Sequence, residues 1–334
     1  MTSEFFDRQG YVLLKGVLNR EQCRLLRARI QDAFRTIEAA RPDQDLRFLP
    51  PSVSFSIPEV WAFPVHERIT AALSAILEPR YTLIPDLQVQ RDTFGFGQIN
   101  IQGIRVPRWG WHQDTGSEGY RPQHMDPRYR FVKCGLYLQD NTAAYGGSVD
   151  IVAGSHRLPL RTGDIARDWK IRQVVGKARI MLEARTLPIE AGDALLFDSY
   201  LWHASTLPAG WQQQVIPRQR ALGIMRLPQP HEKLTVYFNA CRAFCAEAYM
   251  QHSLARARTE HADALNASHA AELFYCDYLD LGVSGNPPAE FLHQVERAGL
   301  RVAALEGAPF EEAARLRRES VMSGRVNNVL PQTV

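Results

Sequence analysis

The sequence predicts a mainly β protein with helices, of the α+β class. Helical periodicity is confined to the first eighty residues and to the chain beyond about 230. From about 81 to 230, short apolar runs rich in β-branched and aromatic residues alternate with Gly, Pro and Asp. Such a series is typical of an antiparallel sandwich or barrel, and not of alternating βαβ units.

Turn and capping signals define the N-terminal elements. The run YVLLKGVL (11–18) predicts a short strand that ends in a turn. Asn19 then offers an N-cap with Gln22 three residues later, and the run that follows, to residue 40, spaces its apolar residues at helical intervals. A second helix is predicted over residues 65–77, VHERITAALSAIL.

The central strands are read from five apolar segments, which are YTLIPDLQVQ, FVKCGLYLQD, GGSVDIVAGSH, ARTLPIEAGDALLFDSYLWHAS and RALGIMRLP. In the fourth of these, a Gly192-Asp193 turn leads into a strand of buried type. Beyond about 230 the pattern returns to helix, and Cys241 and Cys245 are predicted there as buried thiols on one helix. We therefore expect a β core with N-terminal helices over residues 1–230, and a helical C-terminal extension packed on it over 231–334, in one structural domain.

Composition excludes several classes of protein. The chain has 334 residues, of which 45% are hydrophobic and 22% charged, as in ordinary globular proteins. A formal charge of +3 is too small to indicate nucleic acid or an anionic membrane as a partner. The N-terminal residues are too polar for a signal peptide, and no apolar run is long enough to span a membrane. Five scattered cysteines indicate reduced thiols, so we expect a cytoplasmic protein.

Two His-x-Asp pairs occur in the chain, and backbone geometry separates them. On a strand, residues i and i+2 project from the same face, whereas on a helix they diverge by about 200°. His261 and Asp263 lie in a long helical pattern and are expected on a solvated helix face. His112 and Asp114, within WGWHQDTG, lie in a β-rich region next to glycines. This second pair is therefore the candidate for binding a metal.

A third ligand is needed, and His124, His156 and His203 are the downstream candidates. His203 follows the buried strand DALLFDSYLW and is the best placed for a site inside a barrel. His156 ends a turn, so its side chain is expected to order a loop. The alternative for His203 is a hydrogen-bonded core histidine that binds no metal. Two imidazoles and one carboxylate form the set that holds non-haem Fe(II), leaving positions for a chelating 2-oxo acid and O₂.

A 2-oxo diacid also needs a cation for its distal carboxylate. The segment VIPRQRALGIMRLP places Arg218, Arg220 and Arg226 on one face of a predicted strand. An arginine fork pairs with a carboxylate through two hydrogen bonds. Arg220, at the start of the apolar run, is the one expected to point inward, although surface arginines are the common alternative.

With these residues in place, the chain resembles the phytanoyl-CoA dioxygenase family over roughly residues 5–227. The resemblance rests on the order and spacing of FFDRQGYVLLKGVLNREQCRLLR, WHQD, LYLQDNTAAYGGSVDIVAGSH, GDALLFDSYLWHAS and RQRALGIMR. The family consists of non-haem Fe(II)- and 2-oxoglutarate-dependent oxygenases built on a double-stranded β-helix, a jelly-roll or cupin-like fold. The resemblance thus implies this fold and these cofactors, with O₂ as the oxidant.

The resemblance also implies roles for individual residues. His112, Asp114 and His203 fall on the iron ligands, and Ser205 falls on the carboxylate site of 2-oxoglutarate together with Arg218 or Arg220. The weaker candidates near the co-substrate are Gln88 and Gln90, for which packing is the alternative role. Halogenating relatives have Gly or Ala in place of the carboxylate ligand, so Asp114 favours hydroxylation or another oxidation.

The substrate is expected to be a small molecule. Residues 91–111 and 117–130 are predicted as lid loops over the substrate. Residues 91–133 hold seven basic side chains against four acids, and this excess has two interpretations of equal standing: a positive rim that attracts an anionic substrate, or a solvated loop surface. The C-terminal helices fit three roles: a cap, a pocket wall, or a homodimer contact. The rival interpretations are a cupin-like metal-dependent hydrolase or isomerase, and a non-catalytic binding protein on the same fold.

Overall fold

The structure, a computed structural model, describes residues 2–40, 48–49, 51–91, 96–101, 104–109, 111–114, 129–142, 144–157, 165–206, 232–250, 287–304, 311–312 and 315. The chain divides into two compact units. The first comprises Met1–Ala28, Gln90–Asp126 and Val132–Thr235, and the second comprises Arg29–Val89, Pro127–Phe131 and Val236–Val334.

The helices are α1 (Thr2–Gln9), α2 (Arg20–Ala40), α3 (Pro51–Phe55), α4 (Pro58–Trp61), α5 (Glu67–Ile76), α6 (Ile165–Glu183) and α7 (Ala289–Arg297), with a 3₁₀ turn at Phe63–Val65. Residues 243–250 are also helical. The strands are β1 (Tyr11–Leu14), β2 (Phe48–Leu49), β3 (Thr82–Arg91), β4 (Phe96–Ile101), β5 (Ile104–Trp109), β6 (Phe131–Tyr137), β7 (Val149–Ile151), β8 (Arg185–Thr186), β9 (Ala194–Asp198), β10 (His203–Ser205), β11 (Leu234–Cys241) and β12 (Arg301–Val302).

The predicted N-cap of α2 is confirmed. The amide of Gln22 donates to Asn19 Oδ1 at 2.9 Å, and the amide of Asn19 donates to Gln22 Oε1 at 2.8 Å. This reciprocal capping box satisfies two backbone donors that would otherwise lack a partner at the start of the helix. Leu26 and Ile30 follow on the buried face of α2, as their helical spacing predicts.

Two antiparallel arrangements of strands build the first unit. Strand β9 pairs with β1 on one side and with β6 on the other, and its register places Phe197 opposite Tyr11 and Lys133. Strand β7 lies between β10 and β8. Their inner faces supply one apolar core, made of Tyr11, Tyr137, Val149, Ile151, Leu187, Ile189, Leu195, Phe197 and Leu201.

The turn before β9, a strand whose five residues are all buried, is anchored by close contacts and hydrogen bonds. Gly192 has φ +91°, and a Cβ there would overlap the carbonyl of Leu18. Asp193 accepts hydrogen bonds from the amides of Gly16 and Glu190, each at 2.8 Å, and its carboxylate lies 2.6 Å from Lys15 Nζ. The predicted Gly192-Asp193 turn is therefore present, and it leads directly into β9.

The second unit contains the helices α3, α4, α5 and α7, together with β12, which pairs with β3 in parallel. The ring of Phe291, on α7, lies 5.6 Å from that of Phe55 and 6.0 Å from that of Trp61. The helix predicted over residues 65–77 is present as α5. None of the helices in the described ranges is long and apolar enough to cross a membrane.

Four elements differ from the sequence prediction. Helix α6 was not predicted, and part of the segment 91–111, which was read as loop, forms the antiparallel β4–β5 hairpin. Within the region 231–334 that was predicted as helical, residues 234–241 form β11. Cys241 ends this strand and Cys245 lies in the following helix, so the two are not on one helix, although both are buried, as expected.

The coarse fold class agrees with the prediction, because the chain is a mixed α+β protein with a sheet-rich core. The double-stranded β-helix topology and the helical C-terminal extension stay predictions. So do the boundary at residue 230 and a homodimer through the C-terminal helices, since residues 251–286 lie outside the described ranges.

Candidate metal centre

Three side chains that are far apart in the sequence come together in the first unit. His112, Asp114 and His203 each offer one ligand atom, and these atoms lie within 4.8 Å of one another. Asp114 Oδ1 lies 3.4 Å from His112 Nε2 and 3.7 Å from His203 Nε2. The exposed fraction of the side chain falls from 54% for His112 to 17% for Asp114 and 9% for His203.

Backbone hydrogen bonds fix the segment that carries the first two ligands. His112 forms an isolated antiparallel bridge with His203, and the amide of Asp114 donates to the carbonyl of Ser199 at 3.0 Å. Gln113, between them, is buried, and its side-chain amide donates to the carbonyl of Tyr200. Because alternate residues of an extended chain face opposite sides, this bond keeps His112 and Asp114 on the side of His203.

The tautomer of His203 is set by a backbone carbonyl. Nδ1 lies 2.9 Å from the carbonyl oxygen of Leu201, so Nδ1 carries the proton and Nε2 keeps its lone pair. The ring of Phe197 lies 4.7 Å from the imidazole of His203. Orientation by a carbonyl on the second ring nitrogen is typical of histidines that bind metals.

Charge and burial keep these side chains in the protonation states that a metal needs. Burial and, after it, the adjacent His112 lower the pKa of His203 to about 3, so the imidazole is neutral. Burial alone would raise the pKa of Asp114, but the ammonium of Lys133 at 3.4 Å and the two imidazoles outweigh it. The pKa of Asp114 therefore lies well below its usual range, and the carboxylate is ionised.

The donor set fits a divalent transition metal. Ligands about 2.1 Å from one ion lie about 3 Å apart when they occupy neighbouring octahedral positions. The distances of 3.4 and 3.7 Å found here need only a small contraction around an ion. Two neutral imidazoles and one carboxylate match the facial set of non-haem Fe(II) sites.

The other predicted site residues divide into those that the structure describes and those that lie outside the described residues. Ser205 lies on β10, and its Oγ is 3.3 Å from Lys233 Nζ. Gln88 and Gln90 lie half-buried on β3, alternating with the buried Leu87 and Val89. His156 stands outside the cluster, with Nε2 3.2 Å from the carbonyl of Asp7. The second group lies outside the described residues: His124, Arg218, Arg220, Arg226, His261 and Asp263.

Sequence reasoning missed two lysines. Lys133, in the predicted strand segment FVKCGLYLQD, was counted only in the charge of residues 91–133, but its ammonium lies 3.4 Å from Asp114. Lys233 is 2% exposed and was placed in a helical extension. The available signal for Lys133 was its setting, because it interrupts the apolar run FVKCGLY, where a solvated lysine is uncommon. Lys233 only precedes the run LTVYF, which is a weaker signal.

A His–Asp–His cluster in a sheet-rich α+β fold defines a metal-dependent enzyme of the non-haem type. The chain belongs to the phytanoyl-CoA dioxygenase (PhyH) family, whose model matches residues 6–207, more than half of the sequence. It is accordingly an oxidoreductase that uses iron and 2-oxoglutarate.

Several solved structures are similar to this chain. One is HygX from Streptomyces hygroscopicus with nickel and 2-oxoglutarate bound, at 16% identity and a TM-score of 0.44, covering 72% of this chain and 86% of that chain. Another is the non-haem α-ketoglutarate-dependent epimerase SnoN from nogalamycin biosynthesis, at 15% and 0.44, covering 72% and 81%. A third is the carbocyclase SnoK from the same biosynthesis, at 12% and 0.46, covering 72% and 83%. No curated protein matches the sequence.

Proposed function

We propose that the protein is an Fe(II)- and 2-oxoglutarate-dependent dioxygenase. It hydroxylates or otherwise oxidises an unactivated C–H bond of a small-molecule substrate that carries an anionic group, and it releases succinate and CO₂. The observation that carries this proposal is the convergence of His112, Asp114 and His203 within 4.8 Å in a member of the PhyH family.

In this proposal His112, Asp114 and His203 hold the iron. These three side chains would hold the ion and would leave part of it open to the 2-oxo acid and the oxidant. When bound, iron and 2-oxoglutarate supply the oxidising chemistry, in which decarboxylation to succinate accompanies insertion of one oxygen atom into the substrate.

Neighbouring residues set the protonation state and the orientation of the proposed ligands and limit the access of water. The carbonyl of Leu201 holds the His203 proton on Nδ1, so that Nε2 is a ligand without prior proton loss. The amide of Asp114, bound to Ser199, fixes the direction from which the carboxylate reaches the ion. The apolar residues Ile151 and Phe197 line the same region and limit the access of water.

Two features support an anionic group on the substrate. Lys133 places an ammonium at the metal cluster with its side chain still 18% exposed. Once a divalent ion neutralises Asp114, this ammonium becomes available to an anion bound next to the metal. The segment that contains Lys133, residues 91–133, also has more basic than acidic side chains.

The proposal is tested by anaerobic titration with Fe(II) and 2-oxoglutarate. A chelated 2-oxo acid is expected to give a weak visible charge-transfer band, and exposure to air is expected to give slow succinate formation without substrate. Asp114→Ala and His203→Ala should abolish both signals. His293→Ala, a matched change on the exposed face of α7, should retain them.

The same titration distinguishes the rival functions. A metal-dependent hydrolase or isomerase binds the ion but shows neither the band nor succinate, and a binding protein gives no turnover of 2-oxoglutarate. Either result in the wild-type protein would contradict the proposed function.

A further inference from the structure

The outer side of helix α6 carries a stripe of apolar side chains. Met181 and Leu182 are 87% and 83% exposed, and Val174 and Val175 are 69% and 40% exposed. Ala178, which lies between these two pairs, is exposed as well. At about 100° per residue, the five side chains fall within an arc of about 120° and form one continuous surface, the apolar stripe. Single exposed apolar residues are common, whereas a contiguous set indicates an interaction site.

The opposite side of α6 is fixed to the body of the first unit. A Cβ at Gly176 would overlap the indole of Trp202, so the helix backbone lies directly against that ring. The guanidinium of Arg179 donates to the carbonyl of Ala153 at 2.8 Å and to the carboxylate of Glu183 at 2.7 Å. These contacts hold the apolar stripe outward, because a rotation of the helix that buried the stripe would break them.

Basic side chains border the apolar stripe. Lys170 and Lys177 are exposed, and they precede Val174 and Met181 by four residues, which places each lysine next to one of these side chains. The helix has five basic residues against two acidic ones, so its excess of three positive charges equals the formal charge of the whole chain. The net charge of the chain did not indicate a membrane partner, because it averages over all residues, whereas this positive charge is local.

We propose that α6 is a docking helix for an anionic lipid surface. Its axis lies parallel to that surface, and the side chains of the apolar stripe enter the boundary between headgroups and acyl chains. Lys170 and Lys177 contact the anionic headgroups. Lysine suits this position because its alkyl stem lies along apolar surface while its ammonium stays in water. Apolar burial and charge attraction act together in such binding, so both are required.

Two other occupants match the apolar stripe less well. A second copy of the chain would place the basic helix α6 against an equally basic helix, and like charges at the borders of a helix pair repel. The strongest contacts of protein interfaces come from tryptophan, tyrosine and arginine side chains, whereas the five residues of the stripe are all aliphatic. An anionic lipid surface complements both the charge and the apolar character of this side of α6.

The test is flotation of the full-length protein with lipid vesicles. Vesicles of phosphatidylcholine alone are compared with vesicles that contain about one-third phosphatidylserine. We expect the protein to float with the anionic vesicles and to stay behind with the neutral ones. Raising the salt to about 0.5 M should release much of the bound protein, because it screens the attraction between lysines and headgroups.

Two double variants separate the charge from the apolar surface. Lys170→Gln with Lys177→Gln should lower the partition coefficient about 30-fold, from about fivefold for each lysine. Met181→Gln with Leu182→Gln should lower it by at least as much, since two apolar side chains no longer enter the lipid. All four positions are exposed, so both variants are expected to keep the Tm of the wild-type protein.

The matched controls lie on α2. Arg24→Gln with Arg35→Gln removes the same charge from exposed positions, and Leu25→Gln replaces a leucine that is 50% exposed. Both controls should bind anionic vesicles within about twofold of wild type. An equal loss in the controls, or wild-type binding in the α6 variants, would overturn the proposal.

The wild-type protein itself can also contradict the proposal. Failure to float with anionic vesicles, or equal flotation with neutral ones, would show that α6 does not dock on an anionic surface. Sedimentation equilibrium tests the other occupant. A dimer that is lost in Met181→Gln with Leu182→Gln, without vesicle binding, would assign the apolar stripe to a second copy of the chain.

Discussion

His112 and His203 are hydrogen-bonded to each other through their backbones. The amide of His112 donates to the carbonyl of His203 at 3.0 Å, and the amide of His203 donates to the carbonyl of His112 at 3.1 Å. The centres of the two rings are 4.3 Å apart. Because this pairing uses main-chain atoms, it holds the two imidazoles side by side whatever their side chains bind.

Removal of one imidazole should therefore abolish metal binding without unfolding the protein. We expect His112→Ala and His203→Ala to lower the affinity for Fe(II) or Co(II) by more than about 100-fold, since two ligands remain. The measurement is the metal-dependent rise in Tm, which reports binding to the folded state. His156→Ala, outside the cluster, should keep the full rise; an equal loss there would mean that the effect is not local.

Gln113 should act as a positioning residue for the metal ligands. Gln113→Ala removes the donor to the Tyr200 carbonyl and leaves that buried oxygen without this bond, at a cost of about 1–3 kcal/mol of folding free energy. Since the bond also orients His112 and Asp114, the metal affinity should fall about 10-fold. Urea unfolding and Co(II) titration measure the two effects. A loss of stability with unchanged metal affinity would show that Gln113 serves the fold alone.

Lys133 should weaken metal binding while it keeps Asp114 ionised. Its ammonium competes with a divalent ion for the carboxylate and repels the ion at short range. Lys133→Met is expected to tighten Co(II) binding about 10-fold at pH 7, where Asp114 is ionised in either protein. Lys133→Arg should stay near wild type, as should Lys177→Met on the exposed face of α6. Weaker Co(II) binding in Lys133→Met would instead show that the lysine favours metal binding by keeping Asp114 ionised.

The parts of the fold that sequence predicts well are those determined by local chemistry. The Asn19–Gln22 capping box is complete within four residues, and the Gly192-Asp193 turn requires a left-handed residue that glycine supplies. The His112–Asp114 pair depends on the two-residue period of extended chain. Each of these signals lies within a few consecutive residues.

The missed features depend on tertiary contacts. Helix α6 exposes Val174 and Met181 and buries Gly176, so its apolar residues do not follow one face. Strand β11 directly precedes a helix, and the helical pattern beyond it was extended over the strand. Lys133 and Lys233 contact Asp114 and Ser205, which lie on other segments of the chain and which spacing alone does not bring next to them.

Gly176 should be required for helix α6 to pack against Trp202. A Cβ at this position would overlap Nε1 of the Trp202 indole, the residue before His203. Alanine is favoured over glycine within a helix by about 1 kcal/mol. Even so, we expect Gly176→Ala to lower the free energy of unfolding by about 1–3 kcal/mol through overpacking.

Urea unfolding followed by tryptophan fluorescence measures this change, and Val174→Ala on the exposed side of α6 is the control, expected within about 0.5 kcal/mol of wild type. Stabilisation by Gly176→Ala would mean that the indole moves aside and that the close contact does not limit packing.

The buried thiols Cys23 and Cys245 should make the protein less stable at alkaline pH. Burial raises the pKa of each thiol to about 11, whereas an unfolded thiol ionises near 8.5. Between these values the unfolded state releases a proton that the folded state keeps, so the free energy of unfolding falls as the pH rises. The contribution is fully present below about pH 8.5 and is lost by about pH 11, at no more than about 3 kcal/mol for each thiol.

Comparison with Cys245→Ala isolates this effect from that of other alkaline groups. The substitution removes the same packing at every pH, so its cost at about pH 8 minus its cost at about pH 10 gives the contribution of the thiol. We expect the cost to be smaller at the higher pH, because the wild-type thiol has then lost part of its stabilisation. In a Cys276→Ser background, the four described cysteines should also resist a thiol reagent at pH 8 until urea unfolds the chain, since all four are buried. A cost for Cys245→Ala that does not change with pH, or rapid labelling of the folded protein, would show that these thiols ionise as they do in water.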